Sequence, residues 1–436
     1  MSTLAIMGFL MVIVFMYLIM SKRLSAMTAL MLVPVAFAIA LGFGPKIGSM
    51  ALDGIKKVAP TAIMICFAIL YFGVMIDAGL FDPLINRILK AVKGDPLKVI
   101  VGTALLAGIV SLDGDGSTTY MITVSSMYAV HRRLGIHPLI LPAMAIMQNG
   151  VMNILPWGGP TGRVMSALNL DASQVFVPLI PGMIAGTLWV LFVAYRLGLK
   201  ERARLGIIKL DHAVASEMAA TASVDADADN LKRPKLFWVN LAMTAALMTA
   251  LVMEMLPLNV LFMLGTSLAL IINYPKLSDQ QERIKTHAAN ALPVITMIFA
   301  AGIFMGIMSG TKMVDAMAKS LVSVIPPSMG PHLALITAFA SLPFTFFLTN
   351  DAFYFGIVPI LVKTAASYGI SPAEIARASL IGQGTHLLSP LVASTYLLVG
   401  MSGVDFGEFQ KFTLLWSIGT SIVMLIVALL LGVIPF

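Results

Sequence analysis

Two short stretches of this chain concentrate carboxylates, amides and hydroxyls inside otherwise apolar sequence: Ser111-Leu112-Asp113-Gly114-Asp115-Gly116-Ser117-Thr118-Thr119 and Leu348-Thr349-Asn350-Asp351. Two others are broken by proline and glycine. They are Asn153-Ile154-Leu155-Pro156-Trp157-Gly158-Gly159-Pro160-Thr161-Gly162-Arg163 and Gly382-Gln383-Gly384-Thr385-His386-Leu387-Leu388-Ser389-Pro390, with Ser394 and Thr395 just beyond. Proline and glycine interrupt helices, which frees backbone carbonyls and exposes helix N-terminal N–H groups. Carbonyls and carboxylates suit a hard cation, whereas N–H groups suit an anion. Asp113, Asp115 and Asp351 are therefore candidate metal ligands. A carboxylate left unpaired in a low-dielectric site is costly, so each is expected to hold a cation or a proton, and all three are also proton-coupling candidates. Helix capping is the competing role, and it can coexist with ligation. The spacing Asp113-Gly-Asp115-Gly-Ser117 resembles the start of a calcium loop, but Val124 stands where the bidentate Glu belongs, which rejects an EF-hand.

The remaining polar residues of these stretches are candidate substrate contacts: Ser117, Thr118, Asn153, Gly158, Gly159, Thr161, Asn350, Gln383, Thr385, Ser389, Ser394 and Thr395. Arg163 is the only Arg or Lys in either break. It is read as a grip on a carboxylate, which Arg can bind bidentately, against the alternative of an Arg reaching out to the membrane interface. His386 offers an imidazole that could bind substrate, ligate metal or carry a proton; a buried structural His is the alternative. Trp157 is open between site and interfacial anchor, and Asp77, Asp82 and Asp315 read as solvated or capping groups near helix ends.

The elements that must position these residues are membrane helices. Of 436 residues, 59% are apolar and only 11% charged, and the mean hydropathy is +0.94. That excludes an ordinary soluble enzyme and predicts an all-α polytopic membrane protein. Strong apolar runs lie at about 4–20, 25–43, 58–76, 176–197, 235–254, 257–273, 291–309 and 412–435. The first reads as a span rather than a cleavable signal, because a basic leader is missing. Polar interruptions at membrane depth must line a cavity or pack in protein. The single cysteine, Cys66, excludes disulfides and thiolate clusters. With no basic soluble domain, the net charge of +7 encodes topology rather than nucleic-acid binding.

The chain repeats itself. An offset of 233 aligns Pro60, Met64, Ile65, Ala68, Gly73, Met75 and Asp82 with Pro293, Met297, Ile298, Ala301, Gly306, Met308 and Asp315. An offset of 234 aligns Tyr120, Gly135, Ile136, Pro138, Gly150, Pro156, Thr161 and Asp171 with Tyr354, Gly369, Ile370, Pro372, Gly384, Pro390, Thr395 and Asp405. Arg163 has Leu397 as its counterpart, an asymmetry that favours a bound anion. The expected organisation is a first repeat over 1–198, with a re-entrant hairpin at 97–131 and a broken helix at 138–168. A linker follows at 199–233, then a second repeat over 234–436 with its hairpin at 332–368 and broken helix at 373–401. If each hairpin enters and leaves by one face, each half crosses five times and the second half is inverted. Of the 28 Lys and Arg, 20 then fall on the linker side, which the positive-inside rule assigns to the cytoplasm, with both termini outside. Inverted repeats with broken helices are the architecture of secondary transporters. A channel is disfavoured by the lack of a filter sequence, and an enzyme by the lack of a metal His pair or nucleophile motif.

Asp113-Gly-Asp-Gly-Ser-Thr-Thr, Asn153-Ile-Leu-Pro-Trp-Gly-Gly-Pro-Thr-Gly-Arg163 and Asn350-Asp-Ala-Phe-Tyr-Phe-Gly-Ile-Val-Pro359 resemble the signature segments of the citrate-metal-proton symporter family (CitMHS), within the ion transporter superfamily. The resemblance covers nearly the whole chain. It implies uptake of citrate complexed with a divalent cation of the Mg or Ca class, driven by proton symport across a bacterial inner membrane. The cation would travel with citrate, with no permanently bound cofactor. The resemblance also implies kinship with sodium-dicarboxylate carriers that work as homodimers by an elevator motion. Those relatives carry Ser-Asn-Thr at both tips, whereas this chain has Ser117-Thr118-Thr119 and Thr349-Asn350-Asp351; the added carboxylates fit a divalent metal or proton better than paired sodium sites. Charge arithmetic agrees: burying trivalent citrate is prohibitive, but its complex with a divalent cation carries a net charge of −1, for which one Arg suffices. The alternative is a sodium- or proton-coupled carrier of dicarboxylates or another anion within the same superfamily.

Overall fold

The computed structural model describes residues 2–92, 94–207, 230–253 and 255–436. Most of the expected linker, 208–229, lies outside the described residues. Among the described residues the chain is all helical, and seven helices are long and apolar enough to cross a membrane. Two helices outrun their predicted spans: Ile47–Asp77 and Leu277–Gly310 have 31 and 34 residues. Their first turns carry Asp53, Lys56 and Lys57, or Asp279 through His287. Hydropathy detects only the hydrocarbon-depth part, while charged residues with adequate helix propensity continue the same helix beyond it.

The two long helices pack against each other. Gly302, Gly306 and Gly310 recur every four residues on one of them, and the contact tolerates no side chain. A Cβ on Gly54 would lie 1.9 Å from the Gly302 carbonyl oxygen, and one on Gly306 would lie 2.1 Å from that of Met50. Without a hydrophobic force between helices in lipid, such close backbone approach is what dispersion rewards.

The chain also forms two helical hairpins and two interrupted helices. The first hairpin runs Pro96–Val110, a 3-10 turn Ser111–Asp113, and Gly116–Leu134. Asp95 caps its first arm and is gripped by both Nε and Nη2 of Arg202, at 2.9 and 2.5 Å. The second hairpin runs Leu333–Phe347, an extended Leu348, a π-helical turn Ala352–Ile357, and Val358–Ala366. The interrupted helices are Ile140–Met152 followed by Gly159–Leu168, and Pro372–Leu380 and Gln383–His386 followed by Ala393–Ser402. Helices Ile180–Leu205 and Phe406–Leu430 pack together behind them, with Trp189 donating to the Trp416 carbonyl at 3.2 Å.

Candidate functional site

The first tip is built by local geometry. Gly114 takes φ +79°, a conformation that only glycine adopts cheaply, and this turns the chain out of the 3-10 turn. Asp113 Oδ1 accepts from the Asp115 N–H at 2.9 Å. Asp115 then caps the second arm, its Oδ2 accepting from the N–H and the hydroxyl of Thr118 at 2.9 and 2.8 Å. Capping and exposure to the site thus coexist at Asp115.

The first break is held from below. Thr161 donates to the Ile154 carbonyl at 2.7 Å, bridging the gap. Trp157 is buried, its Nε1–H donating to the Leu112 carbonyl at 2.9 Å and its ring stacking on Phe72 with centroids 5.3 Å apart. It locks the break to the hairpin tip and lines the cavity between them, which favours the site over the interfacial anchor. The second break repeats the device: Thr395 donates to the Leu387 carbonyl at 2.5 Å. Thr385 donates to the Gly382 and Leu342 carbonyls, and Ser389 accepts from the Leu391 N–H.

The tips and breaks meet around one cavity of about 550 Å³. Its lining includes Asp113, Asp115, Ser117, Thr118, Asn153, Gly159, Arg163, Asn350, His386 and Ser394, which brings ten of the sequence-derived candidates together. The others lie behind that lining. Asp351 is ion-paired with Arg163, Nε to Oδ1 2.6 Å, both side chains less than a fifth exposed. Arg163 also donates to the Gly159 carbonyl at 2.9 Å, so it points inward and does not reach for an interface. Gly158, Thr161, Gln383, Thr385, Ser389 and Thr395 shape the breaks without lining the cavity. Gln383 is a junction: it donates to Asn350 at 3.2 Å and to the Tyr354 hydroxyl at 2.8 Å, and accepts from Asn153 at 3.3 Å. The corresponding Asn149, 234 residues earlier, donates to the Tyr120 hydroxyl at 3.0 Å.

Two helix starts, at Gly116 and Gly159, open onto the cavity and present N–H groups and positive dipole ends to an anion. Carboxylates of Asp113 and Asp115 stand on the same wall for a cation or its bound water. Among the described residues no three His, Cys, Asp or Glu side chains cluster closely enough to hold a metal ion. The three expected ligands do not form such a set, because Asp351 is drawn to Arg163.

Sequence reasoning missed Asn149, His287 and Asn290, which also line the cavity. Asn149 had a signal, standing four residues before Asn153 on one face of an apolar helix. His287 and Asn290 had none, since the helix that carries them is remote in sequence from every tip and break. Asp77 is also not a solvated end group. Its Oδ2 accepts from Arg283 Nη1 at 3.1 Å and from His287 Nε2 at 2.7 Å. Asp82 and Asp315 do sit in first helical turns, with Lys232 at 3.2 Å and Lys363 at 3.2 Å. A second cavity of about 570 Å³, beside Pro60, Leu170 and Pro257, has Asp171 as its only charged lining residue among those described.

The citrate transporter family profile, CitMHS, matches residues 15–382. Similar over 99% of this chain are two proteins of Bacillus subtilis (strain 168): a citrate transporter, 62% identical across 100% of its own length, and a Mg(2+)/citrate complex secondary transporter, 54% identical across 99% of its length. Among solved structures, the Alcanivorax borkumensis YdaH transporter superposes with TM-score 0.64 over 90% of this chain and 88% of its own, at 15% identity. Neisseria gonorrhoeae MtrF gives 0.60 over 89% and 84%, at 14% identity. At such identity the two structures speak for the fold alone.

Proposed function

The chain belongs to the citrate transporter family, CitMHS, and from that premise we propose that it is a secondary transporter importing citrate as a complex with a divalent cation, by proton symport. Its family and its relatives are transporters, not enzymes. The observation that carries the reading is the single cavity into which both tips and both breaks project, with Arg163, two helix N-termini and the carboxylates of Asp113 and Asp115 on one wall. A chelated tricarboxylate has this same division of charge: free carboxylate oxygens for the guanidinium and N–H groups, and a cation with bound water for the aspartates. Free citrate would meet the aspartates as like charges, whereas the complex places its cation against them. Asp113, Asp115, Asp351 and His386 remain the groups through which a proton can enter the balance.

The two hairpins and interrupted helices form the moving part in this proposal, and the remaining spans are the static frame and the contact of a homodimer. The halves are read as inverted repeats. Recurrence of the amide–tyrosine bond at Asn149–Tyr120 and Gln383–Tyr354, and of the Thr161 and Thr395 staples, supports the repeat itself. The proposed setting is a bacterial inner membrane, with the linker cytoplasmic and both termini outside.

The test is uptake of labelled citrate into proteoliposomes with divalent cations supplied one at a time, at several pH values. Uptake that needs a cation and is driven by an inward proton gradient is the expected result. Uptake undiminished in excess chelator removes the metal complex, and a sodium requirement at fixed pH removes proton symport.

A further inference from the structure

The cavity has two unlike walls. Tips and breaks make one; the other is built by the two long helices, through Ile65, Ile69, Phe72, Gly73 and Ile76 on the first and through His287, Ala289, Asn290, Pro293 and Val294 on the second. His287 is the one titratable group on this second wall among the described residues.

Its imidazole is held as a ligand would be. Asp77 is ion-paired with Arg283, so its carboxylate can only accept, and the 2.7 Å contact requires the proton on His287 Nε2. In the neutral imidazole Nδ1 is then the free acceptor, and it has no hydrogen-bond partner among the described residues. A carboxylate fixing one imidazole nitrogen so that the other faces outward is the arrangement that orients metal-binding histidines and raises their basicity. Room for the ring is built in: a Cβ on Gly73 would lie 2.5 Å from His287 Cγ and Nδ1. The positions 233 residues away, Gly54 and Gly306, instead pack backbone to backbone. The halves differ here by the insertion of an imidazole into what is elsewhere a glycine contact. His386 lines the same cavity from the opposite wall in the other tautomer: its Nδ1 lies 2.6 Å from the Thr345 carbonyl and must carry the proton, which leaves Nε2 as the free nitrogen.

We infer that His287, positioned by Asp77 and Arg283, is a ligand for the cation of the transported complex, contributed by the long-helix wall. This rests on the metal–citrate reading and deepens it. The substrate supplies most of the coordination sphere, and His287 Nδ1 replaces one bound water. A nitrogen ligand favours borderline cations such as Co²⁺, Ni²⁺ and Zn²⁺ over Mg²⁺ and Ca²⁺. In the proposed elevator arrangement the wall is static, so His287 meets the cation only when the moving part brings the cargo to this end.

Two measurements test the assignment. In proteoliposomes, His287→Ala is expected to raise the half-saturating concentration of the Co²⁺, Ni²⁺ and Zn²⁺ complexes by about 10–100-fold, and those of Mg²⁺ and Ca²⁺ less. Asp77→Asn is expected to act in the same direction with a smaller change. An equal loss for every cation means that the imidazole only packs the wall, and it overturns the proposal, as does no loss at all. Pulsed electron paramagnetic resonance of Mn²⁺–citrate on the purified protein gives a readout independent of transport: directly coordinated ¹⁴N is expected in the wild type and weakened in His287→Ala. Citrate-dependent Mn²⁺ binding without a nitrogen signal, or with one unchanged in His287→Ala, overturns this proposal alone. Absence of citrate-dependent Mn²⁺ binding by the wild type overturns the metal–citrate reading and this proposal together.

Discussion

The two hairpin tips face one cavity but are made differently. The first closes on itself: a 3-10 turn, a left-handed Gly114 and a capping Asp115 satisfy the turn with its own side chains. The second is left open, with an extended Leu348 leading through Thr349 to Asp351 and a π-helical turn. Thr349 Oγ1 accepts from the Ala352 N–H at 3.2 Å, but the other two polar side chains find partners elsewhere, Asp351 on Arg163 and Asn350 on Gln383. The first tip leans on a break through a backbone carbonyl, Leu112 to Trp157, and keeps its carboxylates free of outside partners, whereas the second tip commits its carboxylate and amide to the breaks. The π-turn is consistent with this, since such turns concentrate where helix geometry serves function.

The largest expected effect comes from cutting the tie between the second tip and the first break. Arg163→Ala should reduce citrate uptake to background and lower stability by about 3 kcal/mol, since it leaves Asp351 as an unpaired, largely buried charge. Adding Asp351→Asn should restore the melting temperature without restoring uptake; recovery of uptake in the double variant would make the pair purely structural. At the first tip, Asp115→Asn keeps the helix cap but removes charge. Uptake should fall by about 10–100-fold while the melting temperature holds, and a loss of stability with normal uptake would reduce Asp115 to a cap.

Smaller effects sharpen the contrast between the two amide junctions. Gln383→Leu strands partners in the second tip and the first break and should cost about 1–3 kcal/mol by thermal unfolding in detergent. Asn149→Leu strands only the Tyr120 hydroxyl and should cost less; equal costs would deny Gln383 its bridging role. The smallest is Trp157→Phe, which keeps the stacked ring but loses the bond to the Leu112 carbonyl. About 1 kcal/mol is expected, and an unchanged melting temperature would show that the stack alone holds the break to the tip.

Tips and breaks were legible in the sequence because Asp, Asn, Pro and Gly are conspicuous inside apolar runs, where each needs a reason. The same logic over-collected hydroxyls. Thr161, Thr385 and Thr395 turn to carbonyls freed by their own breaks, a local use that sequence cannot separate from substrate contact. Pairings across the fold were not legible. Asp351 with Arg163 lies 188 residues apart and Asp77 with His287 lies 210 apart, and only the crossing of the long helices brings the latter together. Trp157 stayed open between site and anchor for a related reason, as its burial depends on Phe72 and Phe262 from other helices.

The most direct test is an electron cryo-microscopy map of the protein saturated with citrate and Mn²⁺. Density for a single metal–citrate unit against Arg163 and the first tip, within the cavity that both hairpins share, is the predicted result. Density in the other cavity beside Asp171, or citrate bound without its metal, would contradict it.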